Sequence, residues 1–431
     1  MSMIKNNLST TIRHNCRICG SKLTPVLSLG EQCTGSAPVR SPDQDPPRIP
    51  LELVRCSPEL NKKACGLVQL RHSTPQDVLY FDYWYRSGIN QTMTNHLAGV
   101  AHKAEQMVQL NAGDVVLDIG CNDGTLLRSY TKPNLQLIGI DPAKNIGNQP
   151  INRYFNGTDI KIVTDYFSRA SFSKANPNGL AKVITSIAMF YDLEDPNSFV
   201  RDIKAILHTE GIWILEQHYL AAMLKLNAFD VICHEHLEYY ALGPLEALLS
   251  RNSLQIVDVE LNDINGGSFR LYVQHTNSSS PTSEGLKHVQ ELRKSEAELA
   301  LNTAGPYESF ARRIEKIRDD LRALIVSEHD AGKTIYVYGA STKGNTILQY
   351  CGLNSDVIVA AADRNPAKWG LLTPGTHIPI VSEEEARAAN PDYFLVLPWH
   401  FLPEFLEREK EYLSSGGKFI VPLPEVKIIS I

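Results

Sequence analysis

Twice along this chain an apolar strand runs into a glycine turn that opens a helix: "VVLDIGCNDGTLL", residues 115–127, and "TIYVYGASTKGN", residues 334–345. Glycine lets the backbone reverse tightly there and lets a ligand approach the main chain. Strands that alternate with helices pair in parallel. The first turn is followed by the strands "LIGID", "KVITSIA" and "GIWILEQ". Then come "LQIVDVELN" and "FRLYVQ", separated only by the turn "NDINGG", which reads as an antiparallel pair at a sheet edge. The second turn is followed by "DVIVAAADRN", "DYFLVLPW" and "KFIVPLP". Between the two patterns, the polar break "TNSSSPTS" precedes helical stretches near 284–302 and 307–329, whose Glu and Lys/Arg at i, i+4 spacing form a solvated face. An α/β chain with two Rossmann-like units is expected.

The first 72 residues differ. They hold Cys16, Cys19, Cys33, Cys56, Cys65 and a proline-rich stretch with little to bury. Cys16-Arg-Ile-Cys19 is a CxxC knuckle, and Cys56 with Cys65 supplies a second pair. Four thiolates suit tetrahedral zinc and leave no open position, so the metal would be structural. The other reading of Cys56 and Cys65 is small core residues. Cys33 has no partner in this scheme. The expected division is a zinc-binding module at 1–72, a middle domain at 73–280, a helical connection at 281–330 and a C-terminal Rossmann-like domain at 331–431.

A formal charge of −6 argues against a nucleic-acid or membrane-surface binder, and no apolar run is long enough for a membrane span. The first fifteen residues lack the apolar core of a secretory signal, so a cytoplasmic location and reduced thiols are expected.

In the first glycine turn, Asp118, Gly120, Asn122 and Gly124 form the ligand-facing loop, and Asp141 ends the next strand. An acid there accepts bonds from ribose hydroxyls. The pattern is D-x-G-x-x-x-G and lacks the third glycine of a dinucleotide site, so an adenosine without a pyrophosphate, S-adenosylmethionine, fits better than another nucleotide. Asp165, Tyr166 and Phe167 follow the next strand as a candidate adenine site. In the second turn, Ser341, Lys343 and Asn345 lie at a helix start suited to phosphate, and Asp363 closes the following strand. The alternative there is a plain strand-to-helix connection. Trp399 and His400 end a later strand, where ligands of such sheets bind. Glu216 ends a strand at the expected mouth of the site.

One segment resists the architectural reading. "FDVICHEHLEYYAL", residues 229–242, carries two histidines, two glutamates, two tyrosines and a cysteine. Metal ligands, acid/base groups and a polar turn all compete for it. No third ligand stands at usual spacing from His234 and His236, which disfavours a metal.

Together, "CRICG", "CGLVQL", "DIGCNDGTLL", "HEHLEYY", "NGGSFRLYV" and "VYGASTKGNTILQY" resemble the sugar C-methyltransferases over nearly the whole chain and in the same domain order. That family methylates C3 of nucleotide-linked 4-keto-deoxysugars. The resemblance implies zinc on the cysteines, S-adenosylmethionine in the middle domain, and a nucleotide sugar between the middle and C-terminal domains. It implies His236 as the base that takes the C3 proton, with Glu235 orienting it or holding the sugar. His234 would face the other way, toward substrate, and Tyr239 would line the pocket. In "YFDYWYRSGIN", Tyr83 and Tyr85 are placed to reach the sugar, and Asn90 and Gln91 to cover the cofactor. Two positions depart from the antibiotic-sugar branch: Cys233 stands where that branch has tyrosine, and Met189 where it has histidine. Tyr191, His218 and Tyr239 are the nearby alternative donors for an enolate. Competing functions are methyl transfer to oxygen or nitrogen of a small molecule, and a zinc-stapled nucleotide-binding scaffold without activity. Monomer and dimer are both open.

Overall fold

The computed structural model describes residues 10–35, 37–76, 79, 86–147, 154–155, 158–177, 179–278 and 281–430. The first glycine turn sits in an eight-stranded sheet. Its order is Leu254–Asn262, Ser268–His275, Leu207–His218, Ala181–Ile187, Val115–Ile119, Gln136–Ile140, Thr158–Val163 and Tyr154–Phe155. The five strands from Leu207–His218 to Thr158–Val163 are mutually parallel. Ser268–His275 runs against both its neighbours, as "NDINGG" leads one to expect. The central strand Val115–Ile119 is buried at every position, which is why it reads as a continuous apolar run rather than an alternating one. Phe190, Phe199 and Trp213 pack under this sheet with ring centroids 5.4–6.2 Å apart.

The helix expected near Thr125 does not form; only a single 3-10 turn, Leu127–Ser129, follows Gly124. Asp123 explains it. Its Oδ1 accepts from the Thr125 amide at 3.2 Å and the Thr125 hydroxyl at 2.6 Å, a local alternative to helical bonding. Its Oδ2 accepts from the Gly88 amide at 2.9 Å and ties down the preceding loop.

The second sheet has the order Ile380–Ser382, Ala360–Asp363, Ile335–Tyr338, Tyr393–Val396, Lys418–Val421 and Lys427–Ile429. All pairs are parallel except the last. The strand order reverses beside Ile335–Tyr338, as it does beside Val115–Ile119 in the first sheet. Such reversal points open crevices at the carboxyl ends of strands. The helices Ser283–Glu298 and Gly305–Asp330 connect the two units, the longer burying Phe310, Ile314, Ile317, Leu321 and Ile325 at helical spacing.

The N-terminal module contributes antiparallel strands Leu23–Cys33, Arg48–Cys56 and Val68–Leu70. A fourth strand in this sheet comes from far away: Glu238–Tyr239 pairs with Gln69 and Val68, and the Leu70 amide donates to the Leu237 carbonyl at 2.8 Å. The histidine segment is thereby laced to the cysteine module.

Candidate active site

A cavity of about 810 Å³ opens at the carboxyl ends of both sheets. One wall is the first glycine turn. The Gly120 amide donates to the Ile140 carbonyl at 2.8 Å, bringing Asp118, Gly120, Asn122 and Asp141 to the cavity face. Gly120 holds φ +70°, and a Cβ on it would stand 3.1 Å from the Met189 side chain. Asp118 accepts the Thr185 hydroxyl at 2.6 Å. Burial raises its pKa to about 7, opposed by that hydroxyl and reinforced by the Asp141 charge. Asp141 accepts from the amides of Asn122 and Ala143, both at 2.9 Å, so its carboxylate shapes the loop while facing the cavity. Asn90 and Tyr166 also line this wall. The Asn90 side chain caps the helix Gln91–Met107 by accepting from the Thr92 and Met93 amides.

The floor is made by the histidine segment. His236 is enclosed by protein yet open to the cavity, and its Nδ1 lies 2.7 Å from the Val231 carbonyl. A carbonyl only accepts, so the proton sits on Nδ1 and Nε2 keeps its lone pair. Burial depresses the His236 pKa to about 3, the Val231 bond opposing and Lys343 assisting. Glu235 borders the same cavity. His218, at the end of Leu207–His218, faces it as well, and its ring stands 5.5 Å from that of His236. Tyr191 packs against both.

The far wall is the second glycine turn, with Ser341, Lys343, Asp363 and His400 on it. The turn repeats the first one. The Gly339 amide donates to Ala362 at 2.9 Å, and Asp363 accepts from the amide two residues on, at 2.8 Å. Gly339 is required: at φ +91°, a Cβ would stand 2.5 Å from Pro398 Cγ. Lys343 is half-buried and donates to the Asn265 carbonyl at 3.1 Å. Burial lowers its pKa, and Asp230 partly restores it.

Other expected site residues stand elsewhere. Both Glu216 oxygens are taken up by His96, Arg270 and Asn262, a buried cluster behind the strand rather than at the mouth. Asp165 faces solvent and pairs with Lys174 at 2.6 Å. Gly124 serves the turn at φ +78° without bordering the cavity. The Tyr239 hydroxyl points to the Val231 carbonyl, away from the cavity. The Trp399 indole donates to Asp230 at 3.0 Å. His234 donates from Nε2 to, and is held by, the Ile49 carbonyl at 2.9 Å, and with Cys233 and Asn345 it borders a small separate void against the N-terminal module. Tyr83 and Tyr85 lie outside the described residues. Arg364 and Arg408 line the cavity but carry no motif that marks them in the sequence.

In the fold, Cys233 is the third neighbour that spacing did not show: a donor atom from each of Cys233, Glu235 and His236 lies within 4.8 Å of the others. Burial pushes the Cys233 thiol well above its ordinary value, so the set offers a neutral thiol. The four N-terminal cysteines are different. Their sulfurs approach at 3.6 Å (Cys16–Cys65), 3.6 Å (Cys56–Cys65) and 3.7 Å (Cys19–Cys56). A tetrahedral zinc with Zn–S of about 2.3 Å has S···S edges of about 3.8 Å. These distances fit that tetrahedron and are far too long for a disulfide.

Three family models match successive parts of the chain. Residues 16–80 match the family described as "Putative zinc binding domain", 93–259 "Methyltransferase domain", and 263–424 "C-methyltransferase C-terminal domain". The C-methyltransferase NovU of Streptomyces niveus is 32% identical over 420 residues, spanning 96% of each chain. This chain belongs to the C-methyltransferase family.

Among solved structures, the magnesium protoporphyrin IX methyltransferase of Synechocystis PCC 6803 with bound S-adenosylmethionine covers 42% of the present C-methyltransferase and 78% of its own chain, at 12% identity and TM-score 0.31. The plantazolicin methyltransferase BpumL covers 47% and 77%, at 15% identity and TM-score 0.31. These likenesses are too loose to carry an argument about the site. The C-methyltransferase uses S-adenosylmethionine and carries zinc on its four cysteines. The buried Asp118 and Asp141 on a glycine turn fit a cationic, adenosine-bearing cofactor. No described helix is long and apolar enough to cross a membrane.

Proposed function

We propose that this C-methyltransferase methylates C3 of a nucleotide-activated 4-keto-deoxysugar through an enolate. The observation that carries the reading is the bare Nε2 of a neutral His236 at the floor of a cavity shared by two nucleotide-type glycine turns. A carbon nucleophile has to be made, and a proton next to a ketone is the one an imidazole can take. Oxygen and nitrogen acceptors need less base help. When bound, S-adenosylmethionine supplies a methyl group on a positively charged sulfur, which the C3 carbanion takes as the C–S pair leaves with the thioether.

The chain's own residues would divide the work. Asp118, Gly120, Asn122 and Asp141 would hold the cofactor, with Asn90 and Tyr166 at its edges. Lys343, Arg364 and Arg408 line the other end of the cavity, where they suit the charge of a diphosphate. Asp363 repeats the position of Asp141 and would meet a second ribose, though Lys368 holds its other oxygen at 2.9 Å. Ser341 and His400 border the same space. Binding a polyanion near Lys343 offsets the positive charge that depresses His236, so the base strengthens when substrate is present.

The test is incubation with methyl-labelled cofactor and 4-keto-deoxysugars linked to TDP, GDP or CDP. Label on C3 of one of them is expected. Label on a sugar oxygen, or none with any of them, would defeat the proposal.

A further inference from the structure

We propose that His218 is a second catalytic residue, donating from its imidazole N–H to the C4 oxygen while His236 removes the C3 proton. This rests on the enolate reading above. His218 ends the strand Leu207–His218, pairs there with Ser268, and is followed by the Tyr219 amide donating to Gly267 at 3.1 Å, so its backbone is fixed. Its ring stacks on Tyr191 at 5.4 Å and 26°, and Tyr191 meets His236 edge-on at 4.4 Å. The two imidazoles are thus spaced 5.5 Å apart on one cavity floor, with Tyr191 as the spacer. A hydrogen-bond reach of about 3 Å from each lets the pair straddle a C–C=O unit.

Among the described residues the His218 ring makes aromatic contacts only and no hydrogen bond. The ring is half-buried at the cavity wall, so its polar atoms are free to meet a ligand there. Some of the other groups near this floor are less suited. Met189 has no donor to offer. The Cys233 thiol borders the separate void, and the Tyr239 hydroxyl is turned to Val231. Lys343 donates to Asn265. Burial, with the Lys343 charge adding to it, holds the His218 pKa well below its ordinary value. The ring is therefore neutral, with one N–H and one lone pair. A neutral donor stabilises an enolate without protonating it, and it need not reorganise as charge develops.

The step balances within these groups. The C3–H bond breaks and its electron pair forms the C3=C4 double bond. The carbonyl pair moves onto oxygen, where the His218 N–H donates without being transferred. The proton ends on His236 Nε2.

The experiment measures exchange of the C3 hydrogen in deuterated buffer, with S-adenosylhomocysteine present and no methyl donor. The parent, His218→Ala, His218→Gln and His236→Asn are compared on the ketosugar nucleotide that the parent exchanges fastest. His218→Ala should exchange about 10²–10³-fold more slowly, the usual loss of one oxyanion donor. His218→Gln, which keeps an N–H, should recover part of it, as should imidazole added to His218→Ala. Titration of S-adenosylhomocysteine should give parent-like affinity in both variants. The proposal is overturned if His218→Ala exchanges as fast as the parent, or if neither glutamine nor imidazole restores any rate. A parent that exchanges no ketosugar hydrogen brings down the proposed function itself, and this inference with it.

Discussion

Thr185 donates its hydroxyl to Asp118 at 2.6 Å in the floor of the first glycine turn, yet burial still lifts that carboxyl to about pKa 7. A cofactor carrying positive charge on sulfur and amine favours the ionised form. Below pH 7 the carboxyl must give up a proton before it can pair. S-Adenosylmethionine affinity should therefore fall between pH 8 and pH 6, with a proton released on binding. Calorimetry in two buffers of different ionisation enthalpy reads that release directly. Asp118→Asn should abolish it and weaken binding by tens-fold, in line with about 1.5–3 kcal/mol for a charged hydrogen bond.

Pure protein should hold one zinc per chain, and Cys16→Ser should lose it. Thiolate zinc sites contribute on the order of 10 kcal/mol to small modules. Metal analysis together with proteolysis of the first 80 residues checks this. An intact, metal-free module would be the contrary result.

His234 links pH to stability. Burial lowers its pKa to about 4, the Ile49 bond opposing, against 6.5 in the unfolded chain. Between those values the unfolded chain takes a proton that the folded chain refuses. Stability contributed by the neutral ring is thus full above pH 6.5 and is lost as pH falls toward 4, by up to about 3 kcal/mol. His234→Gln should flatten the acid limb of the urea midpoint against pH. A limb unchanged in the variant would place the dependence on other groups, such as His236 and His400, which burial also depresses.

Cys233→Ser should keep most of the turnover. The thiol is buried outside the main cavity, and it is a poor donor beside a phenol. A collapse of rate with intact cofactor binding would give the thiol a part in the chemistry.

Glu216→Ala should act on stability rather than on substrate affinity. It would leave Arg270 with only the longer ion pair to Glu260, at 3.5 Å, a loss of up to about 3–5 kcal/mol. A raised KM with an unchanged unfolding midpoint would return Glu216 to the substrate.

The strands and both glycine turns are legible in the sequence because fully buried parallel strands, such as Val115–Ile119, are short unbroken apolar runs. The missing helix after Gly124 is not legible, because Asp123 bonds locally and to Gly88, a residue 35 positions earlier. Side-chain direction at strand ends is equally hidden. Glu216 and His218 are two apart on one strand and both end near the cleft. Only the reversed neighbour Ser268–His275, by placing Arg270 opposite Glu216, turns the acid into a structural ion while His218 is left facing the cavity. Arg364 and Arg408 escape notice because surface-type arginines carry no pattern until a second wall of the cleft is in place.

The strand Glu238–Tyr239 gives the zinc a reach beyond its own module. The proposed base lies two residues before that strand, and its neighbour Leu237 is pinned between the Leu70 amide and the Tyr191 carbonyl, to which it donates at 2.8 Å. Stripping the metal loosens one rail of this ladder while both large sheets keep their own cores. If His236 is the base as proposed, such a preparation would be folded and bind cofactor yet turn over poorly, its imidazole shifted off register. Zinc occupancy, rather than the melting curve, becomes the measure of how many molecules in the tube are able to turn over.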